Sequence, residues 1–198
     1  MSGGEWTVLF EELLRGLAHA LNNRVTALSA CAELAAIDGE PVDANVLKME
    51  ITRLHQVSAL VGGIATRGHD AEALEIRPVL EEALAIYHHH PRMRSDHGAI
   101  AQSGLVLPVR VPRGTLLRLL LLMIDAMRRS ADRARVEVRL AGDEQLVTVE
   151  IETLEPSGGD AVALAAACGG VLKTAGGVWR LELPSLLALR RQERTPLP

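Results

Sequence analysis

The chain has 198 residues, enough for one large domain or two small ones, and a net charge of -4, which gives no global basic field and makes nucleic acid a poor partner. Hydrophobic residues make up 48% but aromatics only 2%, so the core has to be built from Leu, Ala, Val and Ile. The longest apolar run, LLRLLLLMI at 116–124, is interrupted by Arg118 and too short to span a bilayer. The opening MSGGEWTVLFEELL carries acids where a secretion signal carries Lys or Arg, and Cys31 and Cys168 lack CxxC spacing. These features point to a soluble cytoplasmic protein with reduced thiols and no membrane or nucleic-acid partner.

Residues 5–36 keep a helical period, with Leu14, Leu17, Leu21, Val25, Leu28, Ala32 and Ala35 stepping by threes and fours along one apolar stripe. DGEPVD at 38–43 breaks it. Asp43 is a suitable cap for a second helix to about Arg67, with Leu47, Ile51, Leu54, Val61 and Ile64 on one side. Two long helices and a short loop make an antiparallel hairpin. A lone hairpin cannot bury its own stripe, so pairing two copies into a four-helix bundle is the economical solution.

RGHDAE at 67–72 reads as a linker, after which composition and period change. ALEIR (73–77) is a short strand candidate, and Pro78 starts a helix to about Tyr87. GLVLPVRV (104–111) alternates like a strand, and 113–131 is a strongly apolar helix. ARVEVRLA (134–141) and QLVTVEIET (145–153) alternate across GDE as a hairpin. A short Ala-rich helix covers 160–168, and GGVLKT with GGVWRLELP forms a final hairpin. The expected fold is α+β: a helical hairpin over 1–68, an α/β sandwich with helices on one face of a sheet over 73–186, and a frayed tail at 187–198.

The stretch GLAHALNNRVTAL (16–28) holds a lone histidine in an apolar run. At about 100° per residue, His19 lies two positions from both Leu17 and Leu21 and so points away from the stripe. Arg15, Asn22, Asn23 and Thr26 share its face at spacings of three and four. His19 is therefore expected to be solvent-exposed midway along a rigid helix, with small Gly16 and Ala20 leaving room for another protein. A neutral imidazole can act as a nucleophile. The spacing alone equally allows a surface histidine without a role.

LLRGLAHALNNRVTALSACAEL resembles the phospho-accepting helix of bacterial sensor histidine kinases, in the branch where an Asn-Asn pair follows the histidine. The hairpin then resembles the dimerisation and histidine-phosphotransfer domain, and the second half resembles the ATP-binding domain in element order. LLLLMIDAMRRSA stands where the family's asparagine-bearing helix lies, and ACGGVLKTAGGVWRLELP resembles the closing strands. The departures change what the resemblance implies. The acid that follows the histidine in the kinases is Ala20 here. The magnesium-binding asparagine falls at Asp125. After the strand, IETLEPSGGD leaves Ser157, Gly158 and Gly159 as a turn, without the adenine-reading aspartate-x-glycine-x-glycine pattern. DAVALAAACGG follows at once, leaving no room for an ATP lid. Asp125 alone could still ligate a metal, but the combined losses argue against ATP binding.

The resemblance then implies a dimeric histidine phosphotransferase, in which His19 shuttles a phosphoryl group between aspartates of response-regulator receiver domains. No cofactor would be bound by this chain, and the receiver would bring Mg²⁺ and a lysine. Arg15 or Arg24 could offset phosphate charge, Asn22 and Asn23 could hydrogen-bond, and Asn23 holds the position that in related kinases assists water attack. Each of these also has an ordinary role as a solvated helix-surface group. The rival reading is a non-catalytic pseudokinase scaffold that binds a response regulator or a histidine kinase. Exposed His19 favours the first and Ala20 the second. His88, His89, His90 and His97 could suggest a metal, yet consecutive histidines at a helix end point in different directions and no Cys completes a set. The pairs Gly169–Gly170 and Gly176–Gly177 read as turns rather than phosphate cradles.

Overall fold

The computed structural model describes residues 4–38, 43–65, 70–91, 98–130 and 136–194. In chain order these form α1 (Gly4–Asp38), α2 (Ala44–Ala65), β1 (Ala71–Leu74), α3 (Ile76–Tyr87), β2 (Ala99–Gly104), β3 (Val109–Pro112) and α4 (Arg113–Ser130). They continue with β4 (Glu137–Gly142), β5 (Leu146–Glu152), α5 (Gly159–Ala167), β6 (Val171–Ala175), β7 (Val178–Pro184) and α6 (Leu186–Arg194). The fold is α+β, and among the described residues no helix is long and apolar enough to cross a membrane.

The α1–α2 hairpin forms, and Asp43 caps its second helix by accepting the Asn45 N–H at 2.8 Å. The middle of the predicted break, 39–42, and the first half of the predicted linker, 67–69, lie outside the described residues. The buried stripe of α1 is Leu9, Leu13 and Leu17, a turn earlier than the sequence suggests. Leu14 is half-buried, and Val25 is 51% exposed. The reason is that the first half of α1 packs on α4 as well as α2, and from Leu21 to Ile37 no α1 residue is buried. Val25, Leu34 and Ile37 on α1, with Met49 and Ile51 on α2, stay open in the single chain. Each fully buried leucine of the stripe contributes about 1.5–3 kcal/mol relative to exposure. These leucines, with Val57 and Ile64 of α2, belong to one continuous core shared with the second half.

That second half centres on a five-stranded sheet in the order β2-β4-β5-β7-β6, with β2 and β4 parallel and the other neighbours antiparallel. Alternation sets its two faces. Val138, Leu140, Val147, Val149, Ile151, Trp179, Leu181 and Leu183 are buried. Across the opposite face, Arg139, Glu150, Arg180 and Lys173 stand in one register row, with Glu150 bonded to Arg180 at 2.6 Å. Helix α4 is apolar nearly all round because it lies between this sheet and the hairpin, in contact with β5 on one side and with α1 and α2 on the other. Gly176 and Gly177, both at positive φ, make the tight β6–β7 turn, and Gly169 at φ 68 closes α5.

Four expectations need correction. GLVLPVRV is not one strand. Gly104, at φ 70, ends β2, and Val109 begins β3, which pairs with β1 in a separate two-stranded sheet. The strand before α3 is 71–74 rather than 73–77, and Ile76 opens the helix. Pro78 sits at its third residue, where the missing N–H has no helical acceptor to lose. Strand β2 was not foreseen, because AIAQSG shows no apolar alternation and four of its residues are exposed. The tail is helical through Arg194: Ser185 Oγ accepts the Ala188 N–H at 3.0 Å as a cap, and Ala188 is buried.

Candidate functional site

Local helix geometry presents His19. Leu13 and Leu17 point into the core, and His19 with Arg15, Asn22, Asn23 and Thr26 lies exposed on the other side of α1. One turn on, Asn23 Nδ2 lies 3.2 Å from His19 Nε2. The amide and the imidazole can hydrogen-bond in either sense, according to the ring's tautomer. Arg15 is exposed one turn before His19.

The other expected members lie elsewhere on the helix. Arg24 turns to α2, where it bonds Glu50 at 3.2 Å while Arg53 bonds the other carboxylate oxygen at 2.6 Å. Burial pushes the Glu50 carboxyl up, but the two guanidiniums outweigh this and hold it below its ordinary value. Ala20 is half-buried and packs against the core. Gly16, expected as open docking surface, is half-buried, and a Cβ there would overlap the carbonyl oxygen of His89. The chain's own α3 end therefore occupies that approach.

The same segment splits the histidine cluster. His90 is buried and its Nε2 lies 2.9 Å from Glu12 Oε2 of α1. Its ring stacks on Tyr87 with centroids 5.0 Å apart. His88 and His89 meet edge to face at 5.8 Å. His97 lies outside the described residues, and among those described no group of three or more His, Cys, Asp or Glu could hold a metal.

Tyr87 leads to Asp125. Its hydroxyl donates to Asp125 Oδ1 at 2.9 Å, and Arg129 Nε reaches Oδ2 at 2.9 Å. Both carboxylate oxygens are thus engaged by protein donors, and a magnesium ion at this position would compete with a guanidinium. Arg129 was legible as an i,i+4 partner of Asp125 on one helix. Tyr87 was not, because the contact joins residues 38 apart in sequence.

The SGGD segment also has a structural use. Trp6 N–H, in the first turn of α1, donates to Asp160 Oδ2 at 3.1 Å, and Gly158 is approached so closely by Glu5 that a Cβ would overlap its carboxylate. An acid at a helix N-terminus satisfies an orphan donor and complements the helix dipole. Arg118, the charge that interrupts the apolar run, lies 5.6 Å from the Trp6 ring centroid as a cation–π partner. Residues 153–158 alone connect β5 to α5.

No protein-family model matches the sequence, and no curated protein matches it. Among solved structures, the chain is similar to Acinetobacter baumannii histidine kinase AdeS, with 16% identity over 87% of this chain and 97% of that one and a TM-score of 0.47. It is similar to a histidine kinase from Burkholderia phymatum, with 13% identity over 92% and 98% of the two chains and a TM-score of 0.43. It is also similar to the ATP-binding domain of PrrB from Mycobacterium tuberculosis, with 15% identity over 59% and 98% and a TM-score of 0.46. Likeness at this level does not by itself carry a function to this chain.

Proposed function

We propose that this protein is a histidine phosphotransferase of a two-component phosphorelay, working in the cytoplasm as a homodimer and without ATP. The observation that carries the reading is exposed His19 on a rigid helix, with the Asn23 amide one turn away and 3.2 Å from its Nε2. In this reading the Nε2 lone pair attacks the phosphorus of an aspartyl phosphate on a receiver domain. The P–N bond forms, the P–O bond breaks, and the aspartate leaves as a carboxylate. Asn23 releases the nitrogen by a side-chain rotation, and the Nδ1 proton passes to solvent or stays on the phosphohistidine. The reverse step delivers the group to a second receiver. The receiver's Mg²⁺ and lysine neutralise the transferred group, and Arg15 is an exposed cation one turn before His19 on the same face.

Engagement of Asp125 by Tyr87 and Arg129 supports a role without ATP. The exposed apolar residues along α1 and α2 support a dimeric bundle as the resting assembly. A scaffold that binds a response regulator or histidine kinase without chemistry is the second reading. It is favoured by Ala20, which stands where the kinases carry an acid and packs against the core.

The test uses the full chain and its His19→Ala variant. Each is incubated with labelled ATP alone and then with a panel of phosphorylated receivers. The expected result is no label from ATP, and label moving from at least one receiver to the wild type but not to the variant. Autophosphorylation from ATP would overturn the ATP-free reading. Absence of label across the receivers, with retained receiver binding, would establish the scaffold.

A further inference from the structure

Where the hairpin meets the second half, a cavity of about 730 Å³ opens beside Arg24. That volume lies within the range of small-molecule sites, about 300–1,000 Å³. It is separate from the exposed face of α1 that carries His19. Its apolar wall comes from Val57 and Leu60 of α2, Leu84 and Ala85 of α3, and Val136 just before β4. Its polar side comes from Arg24, Arg53, Gln56, His88 and His89.

The charges do not balance. Arg24 and Arg53 share the single carboxylate of Glu50, one guanidinium on each oxygen, and among the described residues no carboxylate lines the cavity itself. Among the described residues, one positive charge is therefore left over beside an apolar wall. His89 does not add to it: burial, His88 and Arg24 together hold the His89 imidazolium form down, so at neutral pH the ring is an uncharged donor and acceptor. A ligand with one negative charge matches this surplus. Arg24 and Arg53 are 37% and 46% exposed, so water solvates them, and a single carboxylate replaces that water at the surplus charge. A dianion such as a phosphate monoester would bring a second charge against Leu60, Leu84 and Val136 with no partner among the described residues. The planar guanidinium also fits a carboxylate with paired hydrogen bonds.

We propose that this cavity binds one small monoanionic amphipathic molecule, a carboxylate on an aliphatic or single-ring body. The carboxylate sits at the Arg53 guanidinium and the Gln56 amide, and the body lies against Val57, Leu60 and Leu84. The site does not depend on phosphotransfer by His19 and would stand if that reading failed.

The test is calorimetric titration of the full chain with octanoate and with 4-phenylbutyrate, each against its primary alcohol, and with inorganic phosphate and ATP as further arms. The expected result is saturable binding of at least one carboxylate to one site per chain, about tenfold or more tighter than its alcohol. Gln56 is exposed, so Gln56→Glu should leave the fold intact while weakening the carboxylate by about tenfold through charge repulsion. Leu84→Trp, which fills the cavity, should abolish binding, and its circular dichroism spectrum checks its folding. No saturable carboxylate binding at millimolar concentration, equal affinity for acid and alcohol, tighter binding of phosphate or ATP, or a carboxylate affinity unchanged by Gln56→Glu would each overturn the proposal.

Discussion

The Tyr87 hydroxyl donates to Asp125 Oδ1 at 2.9 Å, tying the C-terminal end of α3 to the middle of α4. Burial first, and then the neighbouring Asp125 charge, push the Tyr87 phenol well above its ordinary range, so it stays protonated and remains a donor at any physiological pH. Asp125 is itself largely covered, with a side chain 14% exposed. Tyr87→Phe removes the donor but not the acceptor and is expected to cost about 1.5–3 kcal/mol, the range for hydrogen bonds to charged groups. Urea unfolding with an unchanged slope would measure it. Asp125→Asn keeps the shape of the side chain but removes its charge. It is expected to lose about 1 kcal/mol with the Arg129 pair and to gain no ATP binding in a titration. Acquired ATP binding would overturn the ATP-free reading.

Gly16 and Gly62 give a matched pair of helical glycines with opposite surroundings. A Cβ on Gly16 would overlap the backbone carbonyl of His89, whereas a Cβ on Gly62 meets nothing within 4 Å. Backbone cannot swing aside as a side chain can. Gly16→Ala is therefore expected to destabilise by about 1–3 kcal/mol, with faster amide exchange around His88–His90. Gly62→Ala should stabilise by about 0.5–1 kcal/mol, the usual gain of alanine over glycine in a helix. Equal melting shifts for the two would mean that α1 does not rest on the end of α3.

The features legible in sequence were those whose cause is local. The β4–β5 and β6–β7 hairpins follow from alternation and from turn residues such as Gly176 and Gly177. The exposure of His19 follows from its offset from Leu17. What was hidden depends on partners far along the chain. The Trp6–Asp160 bond spans 154 residues and His90–Glu12 spans 78, so no window of sequence displays them. Gly16 looked like open surface because its neighbour His89 arrives from another element. The α1 stripe was misplaced because α4 adds its cover to the first part of the helix, whereas beyond Leu21 the same spacing meets α2 and leaves Leu28 half-buried and Val25 and Leu34 exposed.

The two thiols are expected to differ sharply. Cys168 is buried at the end of α5, and burial pushes its thiol up to about 12, so almost no thiolate forms at neutral pH. Cys31 is half-buried on the outer part of α1. A thiol-reactive probe under native conditions should label Cys31 first and Cys168 only at the rate of opening of the fold, with mass spectrometry locating the adduct. Native-state labelling of Cys168 at the rate of Cys31 would contradict the packing of α5 on α4.

Acid should act through Glu50. Its folded-state pKa lies below the ordinary value of 4.5: burial works against the charge, and the bonds from Arg24 and Arg53 prevail. A carboxyl with a depressed folded pKa is more readily protonated when the chain is unfolded. Its contribution to stability is therefore complete above about pH 4.5 and is lost as pH falls through the lower folded value. Glu50→Gln cannot titrate and leaves two guanidiniums without a counter-charge, so it should be the less stable protein at pH 7. The gap between wild type and variant should then narrow as the buffer is taken below pH 4.5. Urea midpoints across that window measure the gap directly. A gap that stays constant with pH would mean that the Arg24–Glu50–Arg53 cluster does not hold the hairpin together through charge.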